Sequence, residues 1–323
     1  MKKVLITGGA GYIGSKISYD LTDLGYKVYI IDNLVTGNLK LLNPKTKFFK
    51  ISILEKKKIR NIVKKNNIKI IIHCAALMSV EESNLKKKKY YTNNVLGTKK
   101  LLEATTDLID IIIFSSTCAV YDTFNNPIVT PNSKTGPISY YGKTKLMGEK
   151  IIKETALKKR IKFGILRYFN VAGSDELLRT GCINNNNQLI KNLSRNIVKN
   201  NYKIDLYGND YNTPDGTCIR DYIHVSDLSK LHIYVMNYLK KNKSLTLNCG
   251  YGKGYSVLEI ITLFEKIIKK KISIQIKKKR IGDIAQIFSS NKCLNNKIKI
   301  KFKTLRQILQ SSIDWEKKIN EKK

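Results

Sequence analysis

Between the β-branched run KKVLIT and the amphipathic stretch YIGSKISYDLTDLG, Thr7 to Gly14 reads TGGAGYIG. Glycines at 8, 11 and 14 let the chain turn tightly, let backbone approach a pyrophosphate, and aim a helix N-terminus at the phosphate. Glycine-rich turns are common, but this one has a strand before it and a helix after it, as a βαβ unit requires. The following strand, KVYIID, ends at Asp32. An acidic residue there accepts hydrogen bonds from an adenosine ribose and repels a 2′-phosphate, so the expected cofactor is NAD rather than NADP.

The alternation continues through the first half of the chain. KFFKISI, IKIIIHCAA, IDIIIFSS and KFGILRYF read as strands; EKKKIRNIVKKNN, TNNVLGTKKLLEATT and a segment beginning near Tyr141 read as helices. Continuous apolar strands separated by helices predict an α/β fold, a Rossmann-type doubly wound parallel sheet covered on both faces. After about Phe169 the pattern loosens, and GSDELLRTGCINNNN reads as a polar loop. The expected organisation is an NAD-binding domain over 1–170 and a smaller α/β substrate domain over 171–323, with some later elements folding back onto the first.

Composition narrows the functional classes. An apolar content of 42% and a mean hydropathy of −0.27 fit a globular protein in water. The opening residues do not read as a signal peptide, and no apolar run approaches the roughly 18 residues that span a bilayer, so a cytoplasmic location is expected. Six scattered cysteines and three histidines have no ligand-like spacing, which predicts reduced thiols and no metal site. The net charge of +35 raises nucleic acid as a partner, but 52 of the 60 basic residues are lysine and they run along the whole chain. Nucleic-acid readers lean on arginine, so no specific nucleic-acid partner and no membrane partner is expected; the positive field favours anionic substrates.

Two further stretches carry chemistry. FSSTCAVYD places the hydroxyls of Ser115, Ser116 and Thr117 at a strand's carboxyl end, where open α/β sheets bind ligands. ISYYGKTKLMGE offers two tyrosines and two lysines near a helix start. Spacing of i to i+4 favours Tyr141 with Lys145, while Tyr140 with Lys143 at i+3 stays possible on spacing alone. A free tyrosine titrates near ~10, and a lysine on the same helical face together with a positive nicotinamide ring would bring it toward neutrality. That suits proton abstraction from an alcohol as hydride leaves its carbon.

Taken together, TGGAGYIGS, IIDNL, HCAAL, YYTNNVLGT, FSSTCAVY, YYGKTKLMGE, LRYFNVAG, YGNDYNTPDGTCIRDYIHVSDL and RIGD resemble the extended short-chain dehydrogenase/reductases, and more closely the UDP-glucose 4-epimerase family. The resemblance covers nearly the whole chain, and the block from Tyr207 to Leu228 is its most discriminating part. It implies an isomerase of galactose metabolism that interconverts UDP-galactose and UDP-glucose by transient NAD-dependent oxidation at C4, acting as a homodimer. Thr117, Tyr141 and Lys145 match the family's catalytic positions and also contact the cofactor. The other implied cofactor positions are Gly8, Gly11, Tyr12, Ile13, Gly14, Asp32, Asn33, Leu34, Ser52, Ile53, Cys74, Ala75, Ala76, Asn93 and Phe169. For the UDP-sugar they are Asn170, Gln188, Leu189, Tyr207, Arg220, Arg280 and Asp283.

Several positions depart from the family's pattern. Ser52 replaces an aspartate that reaches the adenine amine, and Gln188 stands where asparagine is usual. Met78 replaces a polar or basic residue seen in some members. Ile287 occupies a position that separates members restricted to hexoses from those admitting N-acetyl sugars, which leaves another UDP-sugar 4-epimerase as an alternative. A nucleotide-sugar dehydratase needs an acid/base pair directly after the catalytic hydroxyl, where this chain has Cys118 and Ala119. A non-catalytic NAD-binding regulator on the same fold would be expected to lack the Thr–Tyr–Lys set, which is present here.

Overall fold

Val4, Leu5 and Ile6 are wholly buried because β1 (Lys3–Thr7) lies inside a sheet rather than at its edge. The computed structural model describes residues 2–122, 126–184, 188–280, 283–290 and 300–321. Strand β1 pairs in parallel with β2 (Lys27–Asp32) on one side and with β4 (Ile70–His73) on the other. Strand β3 (Lys47–Lys50) extends the sheet beyond β2, and β5 (Ile111–Thr117) and β7 (Lys162–Tyr168) extend it beyond β4, all in parallel. With β11 (Leu245–Cys249) the order is β11-β7-β5-β4-β1-β2-β3, so it reverses between β1 and β4. Open α/β sheets bind ligands at such a reversal, outside the carboxyl ends of the strands.

The sheet belongs to the first of two compact units, made of residues up to Tyr121, Thr135–Tyr168 and Ser229–Leu247. One face of it is sealed by α2 (Lys56–Lys65), α5 (Gly97–Thr105) and α6 (Tyr140–Lys159). Ile59 and Val63, Leu101 and Leu102, and Ile152 and Ala156 from these helices pack on Leu5, Ile31, Ile71, Ile112 and Phe114. Each fully buried large aliphatic side chain contributes about 1.5–3 kcal/mol of transfer free energy, which is why a lysine-rich helix such as α2 still docks through two residues. Helix α1 (Tyr12–Asp23) begins directly after the glycine turn.

The second unit comprises Asp122–Lys134, Phe169–Leu228 and Asn248 onward. Its main sheet runs β12 (Gly254–Ser256), β10 (Ile219–His224), β14 (Gln286–Ser289), β6 (Ile128–Val129), with β8 (Asn170–Ala172) also pairing β10. A separate parallel pair joins β9 (Lys203–Tyr207) to β13 (Ser273–Lys277). Its core is built by Ile190, Leu193 and Ile197 of α7 (Leu189–Val198), Ile260 and Phe264 of α9 (Val257–Ile268), and Ile308 and Ile313 of α10 (Leu305–Asn320). Helix α8 (Val225–Lys241) belongs from Ser229 onward to the first unit, and among the described residues no helix is long and apolar enough to cross a membrane.

The fold class follows the sequence expectation, while several element bounds do not. The strand read over KFFKISI stops at Lys50, and the helix read over TNNVLGTKKLLEATT starts as one π-helical turn, Tyr91–Leu96. Helices α7 and α10 and strands β9 and β10 escaped a reading by pattern. The period is nonetheless present in them: β9 alternates exposed and buried residues along KIDLY, and α7 buries Ile190, Leu193 and Ile197 at helical spacing.

Lys191 and Glu316, both nearly shut off from water, form an ion pair between α7 and α10. Lys191→Met should strand a buried carboxylate and destabilise this unit by about 3–5 kcal/mol, lowering the urea midpoint. Lys191→Met combined with Glu316→Leu should recover most of that loss.

Candidate active site

Gly8 leaves β1 with φ +74°, and a Cβ on it would lie 2.6 Å from the Ala75 nitrogen. At Gly14 an added Cβ would stand 2.3 Å from the Gly8 carbonyl oxygen. Only hydrogen fits at either place, so the β1–α1 turn closes against the segment after β4. Gly11 caps α1 with no side-chain bond to the helix's first amides, and Tyr12 and Ile13 open the helix. The positive end of the helix dipole there suits a phosphate. Asp32, at the end of β2, is only 8% exposed and accepts hydrogen bonds from the amides of Ala10 (3.0 Å) and Leu34 (2.8 Å). Burial raises its carboxyl group above the usual range, with those two amides opposing.

The other residues of the first unit expected at the cofactor follow β2, β3 and β4 or, for Asn93, lie in the π turn. Asn33 accepts from the Val35 amide at 3.1 Å. Ser52 accepts from the Leu54 amide at 3.2 Å, while Ile53 is buried against Gly97. Cys74 leads Ala75 and Ala76 out of β4, its amide bonded to the Thr7 carbonyl at 2.9 Å. Asn93 sits in the π turn and donates to Asn94 at 3.0 Å. Asn94 was not singled out from the sequence, although its doubled asparagine was the available signal. Its side chain accepts from the Leu77 amide (2.9 Å), donates to the Leu77 carbonyl (2.9 Å) and reaches the Thr144 hydroxyl (3.1 Å).

Thr117 ends β5, and Tyr141 and Lys145 occupy the first turns of α6. Ser139 caps the helix through the Gly142 amide (3.1 Å), and Ser83 accepts from the Tyr141 amide (2.9 Å). The Thr117 side chain hydrogen-bonds the Tyr141 phenol, yet burial pushes that phenol well above its ordinary value. The expected lowering calls on the lysine together with a positive nicotinamide ring, and the protein's own groups leave the phenol raised. Lys145 is buried with its ammonium 4.2 Å above the Phe114 ring, and burial pulls it down to about 8. Lys143, by contrast, is exposed.

Two buried networks lie beneath this trio, and neither was read from the sequence. His232 meets the Tyr168 hydroxyl at 2.6 Å; Tyr168 donates to Ser115 at 2.5 Å, and Ser115 to the Cys74 sulfur at 3.2 Å. Glu149 pairs with Arg167. His73 is a satisfied interior residue, bonded to Thr7 (2.7 Å) and Thr98 (2.9 Å).

In the second unit, Phe169 is buried and donates its amide to the Cys249 carbonyl at 3.1 Å. Asn170 in β8 is registered with Tyr222 of β10. Gln188 precedes α7, whose first residue is Leu189. Tyr207 ends β9 with the Arg280 guanidinium 3.9 Å from its ring centroid, and the Asp283 amide bonds the Arg280 carbonyl at 3.3 Å. Arg220 is registered with the buried Ile287 and donates to the carbonyls of Ile219 (2.9 Å) and Ala285 (3.3 Å). Tyr211, unassigned from the sequence, feels both Arg220 and Asp283. In the loop read over 173–187, Asp175 pairs with Arg179 at 2.7 Å; residues 185–187 and Cys293 lie outside the described residues. Met78 is exposed.

The chain resembles known proteins along its length. Residues 4–250 match the NAD dependent epimerase/dehydratase family. A UDP-glucose 4-epimerase of Azospirillum brasilense is 34% identical over 324 residues, covering 99% of this chain and 93% of that protein. The crystal structure of the UDP-glucose-4-epimerase from Stenotrophomonas maltophila, with bound NAD and formylated UDP-arabinopyranose, superposes with a TM-score of 0.94 at 29% identity, covering all of both chains. The UDP-Glc/GlcNAc 4-epimerase of Campylobacter jejuni gives a TM-score of 0.83 at 34% identity, covering 98% of this chain and 100% of that one.

Gly8→Ala should force a methyl group into the left-handed region and onto Ala75. We expect about 1–2 kcal/mol of lost stability and a purified protein with little bound dinucleotide, read by thermal melting and by nucleotide released on denaturation.

Proposed function

Because the chain belongs to the NAD dependent epimerase/dehydratase family, we propose that it interconverts UDP-galactose and UDP-glucose as a UDP-glucose 4-epimerase. The observation that carries this reading is the Tyr141 phenol hydrogen-bonded by Thr117 at the end of β5, with the buried Lys145 one helical turn further along α6. Tyr141 takes the proton of the sugar 4-hydroxyl. Thr117 holds the reacting oxygen, and the Lys145 ammonium offsets the phenolate charge that Tyr141 carries before it takes this proton. Bound NAD supplies the acceptor for the C4 hydride and then its donor. Rotation of the 4-keto sugar about its diphosphate link presents the opposite face, and Tyr141 returns the proton to the new alcohol.

The first unit is read as the NAD domain, with the Gly8–Gly14 turn for the pyrophosphate and Asp32 for the adenosine ribose. Asn33, Leu34, Ser52, Ile53, Cys74, Ala75, Ala76 and Asn93 would line the rest. Phe169, the other position implied for the cofactor, belongs to the second unit. The second unit is read as the nucleotide-sugar domain. Arg220 and Arg280 suit the diphosphate because guanidinium forks match phosphate oxygens. Tyr207 offers a ring to uracil, while Asn170, Gln188, Leu189 and Asp283 would surround the remaining groups.

A second reading is activity on N-acetylated UDP-hexoses: Ile287, buried and in register with Arg220, is smaller than tyrosine and bulkier than cysteine, which leaves substrate breadth open. The dehydratase reading lacks its acid/base pair. We also read the protein as a cytoplasmic homodimer. Among the described residues Cys74, Cys118, Cys182, Cys218 and Cys249 are in no disulfide, which suits a reducing compartment. Exposed Leu85, Tyr91, Met147 and Leu157 offer apolar surface to a second copy.

Purified protein incubated with UDP-galactose should yield UDP-glucose, followed by NMR of the anomeric protons. Tyr141→Phe should lower kcat by roughly 10²–10⁴ with NAD still bound, and Lys143→Ala should leave it within about twofold of the parent, as an exposed charge contributes little. Turnover by Tyr141→Phe near the parental rate would sink the mechanism. UDP-N-acetylglucosamine in the same assay tests the second reading.

A further inference from the structure

Glu149 takes no part in the reaction above, yet it shares a face of α6 with Tyr141 and Lys145, one turn beyond the lysine. The carboxylate is 1% exposed and accepts three hydrogen bonds. They come from the Ser116 hydroxyl at 2.5 Å, Arg167 Nε at 2.9 Å and Arg167 Nη2 at 2.7 Å. Ser116 and Arg167 are register partners on β5 and β7, and the guanidinium stands 4.8 Å from the Tyr121 ring. Phe114, which carries the Lys145 ammonium, packs so closely on Gly148 that a Cβ there would be 2.8 Å from the ring. The carboxylate therefore cannot swing away, and the lysine rests on a fixed floor.

We propose that Glu149 is a positioning residue whose charge, pinned by Ser116 and Arg167, keeps Lys145 an ammonium beside Tyr141. The inference rests on reading Tyr141 and Lys145 as the acid–base pair. The groups acting on the lysine are few. Cys74 and His73 face it from β4 and the turn after it, and Glu149 acts from its own helix. Burial pushes Cys74 up to about 11 and His73 down to about 3, so both are neutral near pH 7. Tyr90, on the helix Lys87–Tyr90, is bonded to Glu82 and acts on Tyr141 instead. That leaves Glu149 as the ionised group opposing the desolvation that draws Lys145 down. A neutral amine cannot offset a phenolate charge, so losing Glu149 should remove the working form of the site as pH rises.

The test compares pH profiles of kcat for UDP-galactose between pH 6 and 10, using NAD-loaded protein whose melting is recorded alongside. Glu149→Gln should move the alkaline limb about one unit toward lower pH, an approximately tenfold change in the lysine's ionisation equilibrium, with KM unchanged. Arg167→Met should move it the other way, because the carboxylate then loses its counter-charge. Glu149→Asp should restore the parental limb. A role confined to packing would lower kcat in both charge variants without opposed displacements, and that result overturns the proposal. If Glu149→Gln does not fold, Arg167→Met decides alone, and an unmoved limb overturns the proposal equally. A parental protein that does not epimerise defeats the proposed function rather than this pairing. The Lys145 titration is then followed by NMR of ¹³C-labelled lysine side chains, identified by its loss in Lys145→Met. Opposed shifts in the two charge variants support the pairing, and identical titrations overturn it.

Discussion

Because β1 lies between β2 and β4, the reversal of strand order opens a crevice at the carboxyl ends of those strands. Everything with chemical promise in the first unit hangs on that pairing. Thr7 and His73 are register partners across β1 and β4, and Phe114 partners His73 one strand further on. One continuous register thus runs from the glycine turn to the strand that carries Ser115, Ser116 and Thr117. A slip of one residue would turn Thr117 to the opposite face and remove its contact with Tyr141. Such a sheet, buried on both faces, must be written in long apolar runs, and it is. That is the reason its strands could be read from the chain with few errors.

Legibility declined in proportion to how far an element's role depended on distant partners. TGGAGYIG was readable because local backbone geometry demands glycine, whatever surrounds it. Tyr141 and Lys145 were readable because a helix converts a spacing of four into a shared face. Glu149 had the same spacing again, but its significance lies in Ser116 and Arg167, which are 33 and 18 residues away in the chain. Asn94 likewise depends on Leu77 and Thr144. Spacing can nominate such residues, and only the folded chain supplies their partners. The lowered phenol was expected from the lysine acting together with a positive nicotinamide ring, and in the protein by itself the phenol is raised. Burial acts on the hydroxyl more strongly than the local partners do, and burial is a property of the whole site.

The lysine excess has a structural counterpart. Most described lysines are exposed, in helices, strands and loops alike, while the buried ones are tied. Lys145 lies over Phe114, and Lys191 is paired with Glu316. The fold has therefore absorbed a strongly basic composition at its surface. The arginines are few, and several work as planar forks. Arg167 grips Glu149, Arg60 grips Asp107, and Arg179 holds Asp175. These geometries require a guanidinium and would be lost to an ammonium.

Asn94 has a broader meaning for the backbone it touches. The segment after β4 leaves its sheet at a point where no neighbouring strand offers a ladder, so the Leu77 peptide must find its donor and acceptor elsewhere. A carboxamide carries an N–H and a C=O in the same plane, as a peptide does. One side chain projecting from a π turn therefore serves as a one-residue strand partner for a loop. Aspartate has the shape without the donor and leucine has neither group. The wall of the crevice thus owes its order to a surrogate peptide lent by a helix.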